Sequence, residues 1–148
     1  MTIRELGHVV LYVRELERSR RFYGELLGWK QVASYGGKVA AFSSGRTHHE
    51  LLLIEVGDGA APIPAGSRVG MYHFGLKIGE SDDELRAALA GLREAGVPLL
   101  GMSDHGVSHS LYISDPDGNE VELYIDVQPE LWRDQPVDQL MGTRPLRL

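Results

Sequence analysis

Tyr72–Ile78 reads YHFGLKI, and Gly7–Val13 reads GHVVLYV, its histidine 65 residues ahead of that of the later stretch. Both read as apolar strands, with His8 and His73 at matching places near their starts. The segments after the two strands also match. After the first, Arg14–Leu27 carries Leu16, Phe22, Tyr23, Leu26 and Leu27 on one helical face and stops at Gly28. Short strands over Trp29–Ala33 and Lys38–Ser43 flank a Gly36-Gly37 turn, and His48–Val56 (HHELLLIEV) makes another strand. After the second, Ser81–Ala95 predicts a helix with a Ser81/Glu84 capping box and a buried stripe of Leu85, Ala88, Leu89 and Leu92, ended by Gly96. Val97–Gly101 is a short strand, Asp104–Ser108 a loop, and Leu111–Asp126 (LYISDPDGNEVELYID) a hairpin.

That hairpin has the strongest local signal in the chain. In its Asp115-Pro116-Asp117-Gly118-Asn119 turn, Pro116 presets φ, Gly118 can take φ > 0, and the Asp and Asn side chains can bond local backbone. Val121, Leu123 and Ile125 alternate with Glu122, Tyr124 and Asp126, so Glu122 and Tyr124 share the face opposite the apolar set.

The chain is thus two copies of strand–helix–strand–strand–strand, and an internal repeat decides the fold. The expectation is an α+β fold in which paired βαβββ modules pack edge to edge and curl mixed sheets around a central cleft. Its 148 residues predict a single domain: module one over 4–57, a Pro/Gly-rich linker over 58–69, module two over 70–127 and a tail over 128–148. The tail has no clear period, but Trp132, Leu140, Met141 and Leu146 suggest docking on the domain or on a neighbour.

A net charge of −6 with no Lys/Arg cluster argues against a nucleic-acid surface. No run is long enough to span a membrane, and Met1–Glu5 lacks a signal peptide's basic-then-apolar layout. With no cysteine there is no disulfide framework and no thiolate metal site, so any metal must be held by His and carboxylates. The expected location is the cytoplasm.

In a pseudo-symmetric pair of modules, equivalent strand positions face the same central space. His8, His73 and Glu122 would then meet from three distant parts of the chain. Two His and one carboxylate with open positions suit ferrous iron in dioxygen chemistry, and equally accept zinc, nickel, cobalt or manganese. Each residue alone also fits a blander role, a satisfied core histidine or an exposed strand carboxylate; the repeat raises the ligand reading, since chance rarely places His at the same repeat position twice.

GHVVLYV, RFYGELLGW, HHELLLIEV, YHFGLKI and YISDPDGNEVELY together resemble the vicinal oxygen chelate superfamily over about Arg4–Val127. That superfamily pairs βαβββ modules around a metal. It includes glyoxalase I, extradiol (catechol 2,3-type) dioxygenases, fosfomycin-resistance enzymes and metal-free bleomycin-resistance proteins. The resemblance implies that His8, His73 and Glu122 are the metal ligands. It leaves the activity open, because fold does not determine chemistry.

Two members compete over HHELLLIEV. Aligning Glu50-Leu51 with Glu122-Leu123 makes Glu50 a fourth ligand, as in glyoxalase I. Aligning Ile54-Glu55-Val56 with Ile125-Asp126-Val127 instead sets Leu51 opposite Glu122, turns His49 inward and Glu50 away. The spacing His105-x5-Leu111-Tyr112-x2-Asp115-Pro116-x-Gly118-x3-Glu122 resembles the extradiol signature, departing from it at Ser103. By that resemblance His105 and Tyr112 bond substrate oxygens beside the metal, and His49 is the acid/base next to dioxygen. The blander roles are a strand tyrosine and solvated loop histidines.

The expected activity is therefore Fe(II)-dependent extradiol ring cleavage of a catechol-like aromatic diol by dioxygen. Glyoxalase I-like isomerisation or metal-free ligand binding of the resistance-protein kind are the alternatives. Well-studied extradiol enzymes often carry two such module pairs. This chain has one, so a homodimer or the tail is expected to complete the pocket walls.

Overall fold

In the computed structural model, which describes Met1–Leu148, the chain forms two compact units, Met1–Pro64 and Ala65–Leu148. The first begins with β1 (Val9–Val13) and a helix, α1 (Leu16–Arg20), that runs on into a π-helical stretch over Arg21–Leu26. The expected start at Arg14 is shortened because Glu15 is extended and caps nothing with its side chain. Instead the Leu16 N–H donates to the Glu55 carboxylate at 3.0 Å, so the helix start is held from the end of a strand. Three strands follow, β2 (Gln31–Tyr35), β3 (Val39–Phe42) and β4 (Leu51–Glu55). The sheet order is β1-β4-β3-β2, with β1 parallel to β4 and the other pairs antiparallel. Leu11, Val13, Leu16, Tyr23, Phe42, Leu51 and Leu53 make the core.

The second unit repeats the plan. β5 (His73–Gly79) leads into α2 (Asp82–Glu94), then β6 (Leu99–Asp104), β7 (Ser108–Ser114) and β8 (Glu120–Asp126). The order β5-β8-β7-β6 mirrors the first sheet, with β5 parallel to β8. Ser81 caps α2 by accepting from the Glu84 N–H, while the Glu84 carboxylate reaches back to the Glu80 N–H at 2.8 Å. The capping box is therefore present, with its return bond one residue earlier than the usual form. Leu85, Leu89 and Leu92 from α2 are buried along with Leu111, Ile113, Val121, Leu123 and Ile125. Truncating a fully buried one of these to Ala costs about 2–5 kcal/mol.

The tail adds a short helix α3 (Pro129–Asp134), a 3-10 turn at Val137–Gln139, and β9 (Arg144–Pro145), which pairs antiparallel with β6. Leu146 is buried. The tail thus docks on its own unit through the β6–β9 pairing and Leu146, while Met141 stays exposed. The architecture is α+β: two mixed, unclosed sheets and three helices. No helix is long and apolar enough to cross a membrane.

Candidate functional site

In the second unit His73 opens β5, and the parallel register sets it beside Glu120, with Gly75 beside Glu122. His73 Nε2 lies 3.3 Å from Glu122 Oε2, and its Nδ1 lies 3.4 Å from Glu120 Oε1. The Nδ1 atom is buried and has no hydrogen-bond partner of good geometry. Gly75 leaves the room these groups use: a Cβ there would stand 3.2 Å from the Tyr124 ring and 3.4 Å from Glu122 Oε2.

The hairpin turn positions the next residue. Asp115 is buried, and its carboxylate accepts from the Asp117 N–H (2.9 Å), the Asn119 N–H (2.7 Å) and the Asn119 side chain (2.9 Å). Gly118 has φ +91° with open space around it, the conformation the turn demands. This closes the hairpin with Tyr112 directly opposite Glu122. The phenol oxygen lies 3.2 Å from Glu122 Oε1 and 2.7 Å from His105 Nε2, and the ring stacks edge-on against His73 at 5.5 Å between centroids. Burial, then the charge of Glu122, pushes the Tyr112 pKa up to about 12. Tyr112 is therefore a neutral phenol that can donate one proton at physiological pH.

The first unit holds a separate cluster. His8 precedes β1; its ring lies 4.5 Å from that of His49 and 6.4 Å from that of His48. His48 and His49 approach Nδ1 to Nδ1 at 2.6 Å. Burial, then the neighbouring imidazoles of His48 and His8, lowers the His49 pKa, which favours the neutral ring. A neutral imidazole near neutral pH is competent to accept a proton.

Strand β4 begins at Leu51, so His48, His49 and Glu50 lie in the loop ahead of it, not on the strand as expected. Val9 pairs with Leu51 and Phe74 with Val121 in the two parallel ladders. With His8 matched to His73, Leu52 becomes the counterpart of Glu122, and Glu50 that of Glu120. Neither alignment weighed from the sequence is the one adopted. The Glu50 carboxylate accepts from the Ser44 N–H and hydroxyl, both at 2.6 Å, and from Arg46 Nε at 2.9 Å. Burial raises its pKa, but these donors outweigh it and the net shift is downward.

His73, Glu122, Tyr112 and His105 are thus brought together in one unit, and His8 with His49 in the other. Within neither unit are three or more His, Asp or Glu donors arranged to hold a metal ion. The His73–Glu122 pair does fit one. Donors bound at right angles to a single ion, each ~2.1 Å away, stand ~3 Å apart, close to the 3.3 Å observed. A ligating histidine also commonly presents its other ring nitrogen to a carboxylate, which is where Glu120 stands. Sequence reasoning missed Glu120 and Gly75. Glu120 had a readable signal, since it shares the strand face of Glu122 two residues on; Gly75 had none.

Comparison with known proteins agrees with this fold. Residues 5–123 match the profile of the Glyoxalase/Bleomycin resistance protein/Dioxygenase superfamily. Catechol-2,3-dioxygenase of Bacillus subtilis (strain 168) is 36% identical over 139 residues, covering 93% of this chain and 47% of that protein. Biphenyl-2,3-diol 1,2-dioxygenase 3 of Rhodococcus globerulus is 31% identical over 121 residues, covering 82% of this chain and 63% of that one. The chain therefore spans about half to two thirds of the length of these relatives. Among solved structures, lactoylglutathione lyase from Agrobacterium tumefaciens superposes with a TM-score of 0.62 at 26% identity, over 82% of this chain and 92% of that one. With its two βαβββ units and a profile match over most of its length, the chain belongs to the glyoxalase/bleomycin resistance protein/dioxygenase superfamily.

Proposed function

We propose that this protein is an Fe(II)-dependent extradiol-type dioxygenase that opens the ring of a catechol-like vicinal diol. The observation that carries the reading is the grouping of Tyr112 with His105 and Glu122, at 2.7 and 3.2 Å from the phenol oxygen. Glyoxalase I-like isomerisation has no use for a phenol and a loop imidazole at this place. It calls instead for a free carboxylate where Leu52 stands, and Glu50 is engaged by Ser44 and Arg46. The identities to two diol dioxygenases support the same choice.

In this reading His73 and Glu122 hold the metal, and His8 is the third ligand on the strength of the internal repeat and the family resemblance. Ferrous iron, when bound, would supply Lewis acidity toward the diol oxygens and electron transfer to dioxygen; nickel, zinc, manganese and cobalt suit the same donors. Tyr112 hydrogen-bonds a substrate oxygen beside the metal, and His105 orients the phenol. His49, held neutral by its surroundings, takes a proton from the diol and returns it during ring opening. Functional copies are proposed to be homodimers.

The test compares iron content and turnover in two variants of the iron-reconstituted protein. Glu122→Ala is expected to lose iron and activity together. His49→Gln is expected to keep iron and turn over on the order of 10²-fold more slowly. Loss of iron in His49→Gln would remove it from the acid/base role. Turnover of a glutathione hemithioacetal with nickel or zinc, lost in Glu50→Gln, would replace the dioxygenase reading with the glyoxalase one.

A further inference from the structure

The loop that carries His105 is fastened to the C-terminal tail. The Gly142 N–H donates to the His105 carbonyl at 3.0 Å, and His105 Nδ1 lies 3.1 Å from the Gly142 carbonyl oxygen. The Thr143 hydroxyl stands 3.4 Å from the same ring nitrogen. On either side the attachment continues: Arg144 meets Asp104 at 3.1 Å and pairs with it in the β6–β9 ladder, and Leu146 is buried. Gly106, with φ +80°, lies so close to the Leu140 carbonyl oxygen that a Cβ would collide with it. This fit is specific to the tail.

A carbonyl oxygen can only accept. The neutral imidazole that faces it with Nδ1 must carry its one proton there and leave Nε2 bare. Nε2 is the atom 2.7 Å from the Tyr112 oxygen. The phenol has one proton and two takers, His105 Nε2 and Glu122 Oε1 at 3.2 Å. A bare Nε2, the nearer acceptor, takes that hydrogen bond and leaves Glu122 Oε1 without it. In the opposite tautomer His105 would donate to the phenol oxygen, and the phenol proton would turn to Glu122.

We infer that the tail segment Leu140–Arg144 is a positioning element for the proposed reaction: the Gly142 carbonyl fixes the Nδ1–H tautomer of His105 and so decides where the Tyr112 proton points. This rests on the dioxygenase reading for its purpose, but not for its test. The test is the long-range ¹H–¹⁵N spectrum of the histidine rings in the full-length protein without added metal, at pH 8. Wild type is expected to show His105 as the Nδ1–H tautomer. Gly106→Ala, which pushes the tail carbonyl away, is expected to lose that pattern. Gly118→Ala imposes a comparable positive-φ strain with open space around it, and is expected to keep it.

Should Gly106→Ala fail to fold, Leu146→Ser unfastens the tail from its other end and is expected to lose the Nδ1–H pattern likewise. An Nε2–H tautomer in wild type overturns the inference. So does an unchanged Nδ1–H pattern in a variant whose tail amide signals have shifted. A tail-dependent Nδ1–H tautomer in a protein that consumes no oxygen would leave this inference standing and remove the dioxygenase reading.

Discussion

Tyr112 and Glu122 face each other across β7 and β8, with the phenol oxygen 3.2 Å from the carboxylate. The strand pairing sets this opposition, and the five-residue turn that Asp115 closes sets the pairing. Chemistry and local folding therefore depend on the same hairpin, and they can be separated by substitution.

Tyr112→Phe removes only the hydroxyl. The ring still packs against His73 and the fold is expected to persist. A preformed hydrogen-bonding group at a reacting oxygen is worth on the order of 10²-fold in kcat, so kcat for the diol should fall by about that factor with iron content unchanged. An unchanged kcat would make Tyr112 an ordinary strand residue.

Asp115→Ala deletes three accepted bonds in a buried turn and leaves donors stranded. At about 1 kcal/mol per bond the three bonds alone are worth about 3 kcal/mol, and the unpaired N–H groups add to that loss. Asp115→Asn retains an acceptor and should lose less. Urea denaturation measures both.

Gly75→Ala adds one methyl where the Tyr124 ring and Glu122 Oε2 leave 3.2 and 3.4 Å. The Tyr124 ring, which shares the strand face of Glu122, has to give by a few tenths of an ångström and crowds the carboxylate, so metal affinity should fall by roughly tenfold, as for other residues that orient a ligand. Calorimetric titration with manganese reads this, while thermal unfolding of the metal-free chain should change little. Equal affinity in the variant would show that Glu122 does not need that space.

Asp104 links β6 to the tail. The Gly106 N–H, with Arg144 next among the favourable contributions, holds its carboxyl below the ordinary 3.8. A depressed folded pKa means the contribution to stability is complete above the unfolded value and drains as pH falls through the folded one. Asp104→Asn should therefore be less stable than wild type at pH 7, and the gap should shrink as pH falls below about 4. A gap independent of pH would deny the carboxylate this role.

Reading the chain alone recovered the paired modules because both carry the same strand and helix signals, and α2 showed its Ser81/Glu84 cap openly. Glu122 and the face it shares with Tyr124 came from simple alternation through Glu120–Asp126. The placement of His49 and Glu50 did not. The loop ahead of β4 is held by side-chain bonds from Ser44 and Arg46 to Glu50, and it breaks the alternation that HHELLLIEV suggests. The tail was illegible for a different reason: its hold on His105 runs through the backbone of Gly142, which no side-chain pattern announces.

The central claim is most directly tested with an oxygen electrode. The protein is reconstituted anaerobically with ferrous iron, then given catechol or 2,3-dihydroxybiphenyl and a known amount of dioxygen. Stoichiometric oxygen uptake with a yellow ring-opened product, absent in Glu122→Ala, is the predicted result. No uptake by the iron-loaded wild type with either diol would contradict the account.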